Sequence, residues 1–494
     1  MTRRVRAALA GLVALAAPAA AQLPQADSAF NRGDYGAARV LYRSVLLQDS
    51  LNPRALYRLA IFDSWDGNLK QSLAGFATLR RVEPLDPDIM VAHAEVLSWA
   101  GRERSSEALY DSVLAISPDR ADALAGRARA VAWSGDLGRA ERLWREALER
   151  HPDDAAILAG LAQTLYWEGK PGLAESYVAR AREIAPGDRT ARDVFDQVRA
   201  ARRPAVTVWA DGAEDTDHNS FLAFTGTYGT SLRPDLRGTL RASWRRNEGD
   251  SMIGVSGGVD GWLVKALPGS ASLRGGAGVR ALYRDSGGTR SFATAQLSVG
   301  FRPARFASVN VGYSRTPFDE TALLVQQAFV WDALGVEAEL SPRPNLDAAA
   351  VANAAWLSDG NRRLMGALAV TVGVAKRLRV GGYARLLGYR QANPGRGYFA
   401  PDRFSLVEGR AAYAWRRRGW ALRAFAGLGA QQVGTGAATQ AEWHGDVTVS
   451  RSWRAIDELS LVALYTNSSA ARTATATTQR YRFWSVGLRY RRGL

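Results

Sequence analysis

The stretch Leu236-Arg237-Gly238-Thr239-Leu240-Arg241-Ala242-Ser243-Trp244-Arg245 decides how the C-terminal part of the chain folds. Successive side chains of an extended strand point to opposite faces. Leu236, Leu240, Ala242 and Trp244 therefore share one face, and Arg237, Thr239, Arg241, Ser243 and Arg245 share the other. The pattern recurs along the chain. Leu364, Leu368, Val370, Val372 and Val374 alternate with Ala367, Ala369, Thr371 and Gly373, and Trp484, Val486, Leu488 and Tyr490 lie opposite Phe483, Ser485, Gly487 and Arg489. From Pro204 onward there are about sixteen such segments, each of roughly ten residues, the sequence signature of a transmembrane antiparallel β-barrel. A closed barrel is also the β structure that leaves no unpaired backbone in lipid. The competing architecture, a soluble propeller, repeats a blade motif, and the segments here show none.

The connections alternate in length. Short turns are expected at Arg233-Pro234-Asp235, Lys265 to Ser270, Arg302 to Arg305, Ser341 to Asn345, Lys376 to Arg379, Arg416 to Gly419 and Trp453 to Glu458. Longer loops are expected at Asp211 to Ser220, Ser314 to Thr321, Gln391 to Arg403, Gln432 to Thr439 and Asn467 to Thr478. This short-then-long rhythm fits turns on one side of a membrane and loops on the other. An even strand count returns both ends of the barrel to one side.

Charge and composition divide the chain near Pro204. The net charge of +16 sits mostly in residues 204–494, which hold 36 Lys and Arg against 22 Asp and Glu, whereas residues 22–203 hold 25 against 26. The positive charges recur singly on strands and turns, not in a basic helix or a cluster with aromatics, so nucleic acid is not an expected partner. Arg3, Arg4 and Arg6, the short apolar run Ala7 to Ala17 and the Ala19-Ala20-Ala21 ending make residues 1–21 an expected secretory signal peptide. No later stretch is long and apolar enough for a transmembrane helix. The chain has no cysteine, which suits an oxidising compartment and excludes thiol catalysis and Cys-ligated metals. His93, His151, His218 and His444 stand isolated in sequence, without metal-ligand spacing. Neither a nucleophile-elbow motif nor a P-loop occurs. No enzyme activity, cofactor or metal is expected.

Residues 22–186 carry a strict internal period. Gly33, Gly67, Gly101, Gly135 and Gly169 are spaced by 34 residues, and Ala26, Ala60, Ala94, Ala128 and Ala162 keep the same register. So do Pro84, Pro118, Pro152 and Pro186, and the aromatic stripe Trp65, Trp99, Trp133 and Trp167. This period resembles the tetratricopeptide repeat, which implies an α-solenoid of helix pairs over 22–203. The Gly is expected in the turn between the two helices of a pair. The Ala and the small residues Ala38, Ser72, Ser106, Ala140 and Ala174 allow close helix contact, and Tyr42, Phe76, Tyr110, Trp144 and Val178 fill the groove between neighbours. Pro ends the second helix, and a polar helix from Asp188 to Arg203 caps the array. The Trp stripe is expected to pack between helices; the alternative is an exposed track on which sugar rings stack. Stacked pairs present a concave surface that holds partners.

The fold class read from the sequence is thus α + β multidomain: a helical-repeat arm over 22–203 followed by a barrel of about sixteen strands over 204–494. That arrangement resembles the exopolysaccharide-export porins, among them the cellulose-synthase outer-membrane subunit and the poly-N-acetylglucosamine exporter, and also the smaller YaiO-type repeat-plus-barrel proteins. Gly397-Tyr398-Phe399-Ala400-Pro401, before Asp402-Arg403-Phe404-Ser405-Leu406, is similar to a Gly-Tyr-Phe-Ser-Pro segment of the cellulose subunit. The resemblance implies an outer-membrane protein of a Gram-negative-type bacterium that exports a polysaccharide chain, with a periplasmic arm that docks synthase or modifying proteins of the periplasm or inner membrane. On the inward face, Arg237, Arg241, Arg245, Arg274, Arg280, Tyr383, Arg385, Tyr389, Glu408 and Arg410 are the candidate polymer path, since cationic walls concentrate anions. The alternative is that these Arg residues pair with lumen acids such as Glu337, Glu339 and Glu408. Tyr398, Phe399 and Pro401 form a candidate inward-folding gate; otherwise Gly and Pro simply keep a surface loop compact. Two other functions remain open: a general diffusion porin with a scaffold arm, and a plugged barrel that anchors the arm.

Overall fold

The computed structural model describes residues 19–249, 251–285, 287–304, 306–343, 345–392, 397–453, 456–468 and 481–494. Most of the expected signal peptide and most of the loop expected at Asn467 to Thr478 lie outside the described residues. Two compact units emerge from the contacts. One runs to Thr164 and includes Arg180–Ala191; the other joins Leu165–Ala179 to Arg192–Leu494.

The helical region contains five pairs: α1 (Ala19–Asn31) with α2 (Tyr35–Gln48), α3 (Pro53–Trp65) with α4 (Leu69–Val82), α5 (Pro87–Trp99) with α6 (Glu103–Ile116), α7 (Ala121–Ser134) with α8 (Leu137–Arg150), and α9 (Ala155–Trp167) with α10 (Pro171–Ile184). A further helix, α11 (Arg189–Arg202), follows. The five Gly residues of the period all sit between the helices of a pair with φ between 71° and 91°. That left-handed conformation is easy only for Gly. The second helix of each pair stops two residues before the periodic Pro, except in the first, where Ser50 stands at that position and Asp49 caps α2 by donating its N–H to the Val45 carbonyl. Side-chain caps begin several helices: Asp34 accepts from Ala37 N, Asn52 from Ala55 N, and Asp86 from Asp88 N and Ile89 N.

The periodic Ala residues and the small residues five after each Gly are buried, and so are Tyr42, Phe76, Tyr110, Trp144 and Val178. Where Ser replaces Ala at the inner contact, its hydroxyl is satisfied: Ser72 Oγ donates to the Ala60 carbonyl and Ser106 Oγ to the Ala94 carbonyl, each at 2.7 Å. The large rings need matching gaps. A Cβ on Gly126 would lie 2.2 Å from Tyr110, and one on Gly160 would lie 2.3 Å from Trp144.

The chain changes from helix to strand at Pro204. Sixteen antiparallel strands follow, each paired with its sequence neighbours, and β1 (Ala205–Asp215) closes on β16 (Phe483–Gly493). The even count brings both ends to one rim, where Leu494 N donates to the Pro204 carbonyl at 2.9 Å. In order, the strands between are β2 (Asn219–Arg233), β3 (Leu236–Gly249), β4 (Met252–Leu267), β5 (Ala271–Tyr283), β6 (Thr289–Ala304), β7 (Ala307–Pro317), β8 (Val330–Arg343), β9 (Leu346–Leu357), β10 (Arg362–Ala375), β11 (Leu378–Tyr389), β12 (Phe404–Arg417), β13 (Trp420–Val433), β14 (Gln440–Ser452) and β15 (Glu458–Thr466). A short helix, α12 (Ala322–Gln327), interrupts the β7–β8 connection.

Pairing carries the alternation around the wall. Ala242 faces Val259 across β3–β4, and Val259 faces Val279 across β4–β5, all on the apolar exterior. The large exposed hydrophobics of the strands, Leu240, Val259, Leu297, Leu364, Val407 and Leu428 among them, lie on that outer surface. No described helix is long and apolar enough to cross a membrane.

One loop expectation needs correction. Asp211 to Ser220 is not a long loop: β1 continues to Asp215 and β2 begins at Asn219. The turn is held by the Asp215 carboxylate, which accepts from the backbone N–H of Asp217 and Asn219 at 2.9 Å each, and His218 takes φ 61°. Short polar residues are favoured in turns because their side chains satisfy local backbone donors. Here that chemistry packed the reversal into three residues, although composition alone suggested a longer excursion.

Candidate functional site

The inner wall of the barrel is lined by the residues that alternate with its apolar exterior. Arg237, Arg241, Arg245, Arg274, Arg280, Tyr383, Arg385, Tyr389, Glu408 and Arg410 all occupy inward positions, opposite in phase to the exposed Leu240, Val279, Leu386 and Val407. Most of the arginines are engaged. Arg241 pairs with Asp260 through Nε at 3.1 Å and Nη2 at 2.9 Å. Asp260 also accepts from Thr294 Oγ1 at 2.6 Å. Arg280 reaches Asp319 at 2.8 Å and Ser243 at 3.0 Å. Arg245 lies over the Phe221 ring at 3.7 Å and donates to Asn247 Oδ1 and the Glu320 carbonyl. Arg237 donates to the Ala201 carbonyl at 2.8 Å. Arg410 pairs with Glu408 and stacks on Tyr383, 3.4 Å from its centroid. Arg–acid pairing is thus present, but its acids are Asp260, Asp319 and Glu408. Sequence reading did not single out the first two, because their partners lie on other strands or on a loop.

Two loops fold into the lumen. The β7–β8 connection carries α12, whose N-terminus is capped by Thr321 and whose last turn ends at Ala328 with φ 55°. Just before α12, Asp319 is fastened to the inner wall of β4 and β5 by Ser256 Oγ at 2.5 Å and by Arg280, while Asn247 Nδ2 of β3 donates to its carbonyl at 3.1 Å. Gln326 Nε2 donates to the Ile253 carbonyl at 2.8 Å, and Val325 and Ala328 bury against Leu282 of β5. Ser256, Arg280, Asn247 and Leu282 all point inward, so this segment lies inside the cylinder rather than above it.

The β11–β12 loop meets it there. Tyr398 is fully buried among Leu324, Leu357, Leu387, Tyr389, Phe404 and Leu406, with Phe318, Trp331 and Phe399 packed around them. Its hydroxyl donates to Asp359 Oδ2 at 2.8 Å and accepts from Asn361 Nδ2 at 3.1 Å. Of the candidate gate residues, Tyr398 and Phe399 therefore pack inward, and Tyr398 is tied to the turn between β9 and β10. Beside them lies a cavity of about 390 Å³ that combines Trp331, Tyr389, Tyr398 and Phe399 with Arg363 and Arg385. Of these residues, sequence reading singled out all but Trp331 and Arg363. It did not find Asp319 or α12, because an inward fold of a loop leaves no periodicity.

The four histidines are not all isolated. His444 lies within 3.1 Å of Glu442 and 3.3 Å of Glu408. Residues 442 and 444 share one face of β14 by strand alternation, a local signal visible in sequence. Glu408 arrives from two strands away, which only the register supplies.

In the helical repeats, Trp65, Trp99 and Trp167 keep 54%, 43% and 38% of their surface exposed, and Trp133 is partly buried. The expectation that this stripe packs as core therefore needs correction. The core position is nine residues after each Gly, and the Trp residues sit at or near the ends of the first helices, where a ring is covered on one side only. Trp65 packs edge-on against Tyr35 and Phe62 and stacks beside Phe30.

The fold is a set of tetratricopeptide-type helix pairs followed by a closed sixteen-strand antiparallel barrel. Residues 134–194 match a family model described as tetratricopeptide repeat. No curated protein matches the chain. Among solved structures, one described as a bacterial polysaccharide outer membrane secretin is similar at 12% identity and a TM-score of 0.46, covering 59% of this chain and 99% of that one. A tetratricopeptide repeat protein from Parabacteroides merdae is similar at 17% identity and a TM-score of 0.35, covering 37% and 72%. A tetratricopeptide repeat protein of Thermus thermophilus is similar at 22% identity and a TM-score of 0.32, covering 36% and 98%.

Proposed function

We propose that this chain is an outer-membrane channel for export of an exopolysaccharide, with its helical repeats holding periplasmic partners and guiding the polymer. The observation that carries the reading is the lumen constriction, where aromatic faces and guanidinium groups line one cavity. Sugar rings stack on aromatic faces, and their hydroxyl or carboxylate groups accept from arginine. Barrels of sixteen strands are wide enough for an aqueous path, and the inward row of arginines favours an anionic or mixed polymer. On this reading residues 1–21 direct secretion, and residues 22–203 stand in the periplasm. Partners are the lipid of the outer membrane, the polymer, and synthase or modifying proteins.

A second reading, a plugged barrel that anchors the repeats, is favoured by the fastening of the inward loops through Asp319 and Tyr398. The two separate in one experiment. Deleting the gene is expected to abolish surface polysaccharide, restoring the wild type to return it, and restoring Tyr398→Ala with Phe399→Ala to alter it. Unchanged polymer after deletion rejects export. Liposomes containing the protein are expected to swell in small oligosaccharides; a barrel that admits none supports anchoring.

A further inference from the structure

On the inner wall, two adjacent rows of residues run across neighbouring strands. One row places Tyr383, Glu408, Gly429 and Glu442 side by side on β11 to β14. In the other, Arg410, Gly427 and His444 lie side by side. The middle strand contributes only Gly to both rows, so side chains from β12 and β14 meet above it. A Cβ on Gly427 would lie 2.4 Å from His444 Cε1 and 2.9 Å from Glu408 Oε2. The two glycines are therefore what lets the trio assemble.

Glu408 and Glu442 are buried carboxylates. Arg410 pairs with Glu408, and His444 Nδ1 lies against both Glu442 and Glu408. One imidazole Nδ1 cannot serve the three carboxylate oxygens that Arg410 leaves. Among the described residues, Glu408 Oε2 and Glu442 Oε2 have no hydrogen-bond partner, and buried polar atoms left in that state call for an explanation such as an ion. The spacing supplies one. His444 Nδ1 stands 3.1 Å from Glu442 Oε1 and 3.3 Å from Glu408 Oε2. Zinc bonds to nitrogen and oxygen of 2.0–2.2 Å in tetrahedral geometry put neighbouring ligand atoms about 3.3 Å apart. All three ligand atoms lie within 4.8 Å of one another.

We propose that Glu408, Glu442 and His444 hold a divalent transition-metal ion on the barrel wall, with its remaining coordination position facing the lumen. One imidazole with two carboxylates suits zinc and its first-row neighbours; calcium and magnesium prefer all-oxygen sets. The Arg410 guanidinium, held between Glu408 and the Tyr383 face, orients the first carboxylate from outside the metal shell. The inference does not depend on what passes through the channel.

The test uses the full chain, purified in detergent without a polyhistidine tag and stripped with a chelator. Zinc titration by calorimetry is expected to show one tight equivalent, and cobalt is expected to develop visible absorption bands that zinc then displaces. Glu442→Gln and His444→Ala are each expected to weaken the affinity roughly 10–100-fold, with the heat-modifiable gel mobility of the closed barrel retained. X-ray absorption of the zinc-loaded wild type is expected to show one imidazole and two carboxylate ligands, a readout that stands even where a variant misfolds. Wild-type binding no tighter than that of the variants, or a bound ion without imidazole, overturns the proposal and leaves the trio a closed ion network around protonated His444.

Discussion

The helical repeats and the barrel obey the hydrophobic rule in opposite directions. In the repeats the large side chains, Tyr42, Phe76, Tyr110 and Trp144, are buried, and charges such as Arg145 and Glu141 pair on the surface. In the barrel most exposed Leu and Val side chains of the strands face outward, while the ion pairs Arg241–Asp260 and Arg280–Asp319 lie within. Burial removes apolar surface from water, and it does so equally well by helix packing or by contact with hydrocarbon. The inversion is the pattern expected of a barrel whose exterior meets hydrocarbon and of repeats that meet water. Backbone satisfaction follows the same division, since each helix bonds within itself, whereas every strand depends on two neighbours and the ring must close.

That contrast can be broken at defined positions, starting where the cost is greatest. Tyr110→Ala empties the space that Gly126 makes for the ring, and large-to-small core changes of this kind cost about 3–5 kcal/mol. An early loss of helical circular dichroism, with barrel gel mobility unchanged, is the expected result. A loss below 1 kcal/mol would mean that the periodic aromatics do not form the core.

A matched pair of charges sharpens the comparison. Val259 and Val40 are 59% and 54% exposed, the first on the mid-barrel exterior and the second on α2. Val259→Arg is expected to destabilise the barrel by about 2–4 kcal/mol when refolded into bilayers. Val40→Arg is expected to stay within about 0.5 kcal/mol. Equal, small effects would mean that the barrel exterior meets water.

The smallest effect concerns pH. His93 stacks on Phe76 at 5.6 Å, and burial, with Arg80 nearby, lowers its pKa to about 4 from an ordinary 6.5. Between those values the unfolded chain binds a proton that the folded one does not, so stability rises with pH. The repeats should be fully stable above pH 6.5 and lose about 1–2 kcal/mol as the pH falls from 7 to 5. His93→Leu should flatten that slope in urea titrations read by circular dichroism; an unchanged slope assigns it to other groups.

How much was legible in sequence varied with the range of the interaction. Gly33 and its four equivalents announced their turns because the left-handed backbone is a local demand. Arg237, Arg241 and Arg245 announced their face because alternation is local too. The half-exposed state of Trp65 and Trp99 was not legible, since it depends on how far a neighbouring helix pair reaches. Nor was the inward path of residues 318–329, whose anchors Asn247, Ser256 and Arg280 are remote in sequence.

By itself the sequence determined the helix pairs, the strands and the face each residue presents, because period and backbone preference act over a few residues. Tertiary structure alone decided which strand closes the ring, how Asp319 and Tyr398 narrow the lumen, and that Glu408 meets Glu442 and His444. Those contacts join residues tens of positions apart, and only the register of neighbouring strands brings their side chains within a few ångströms.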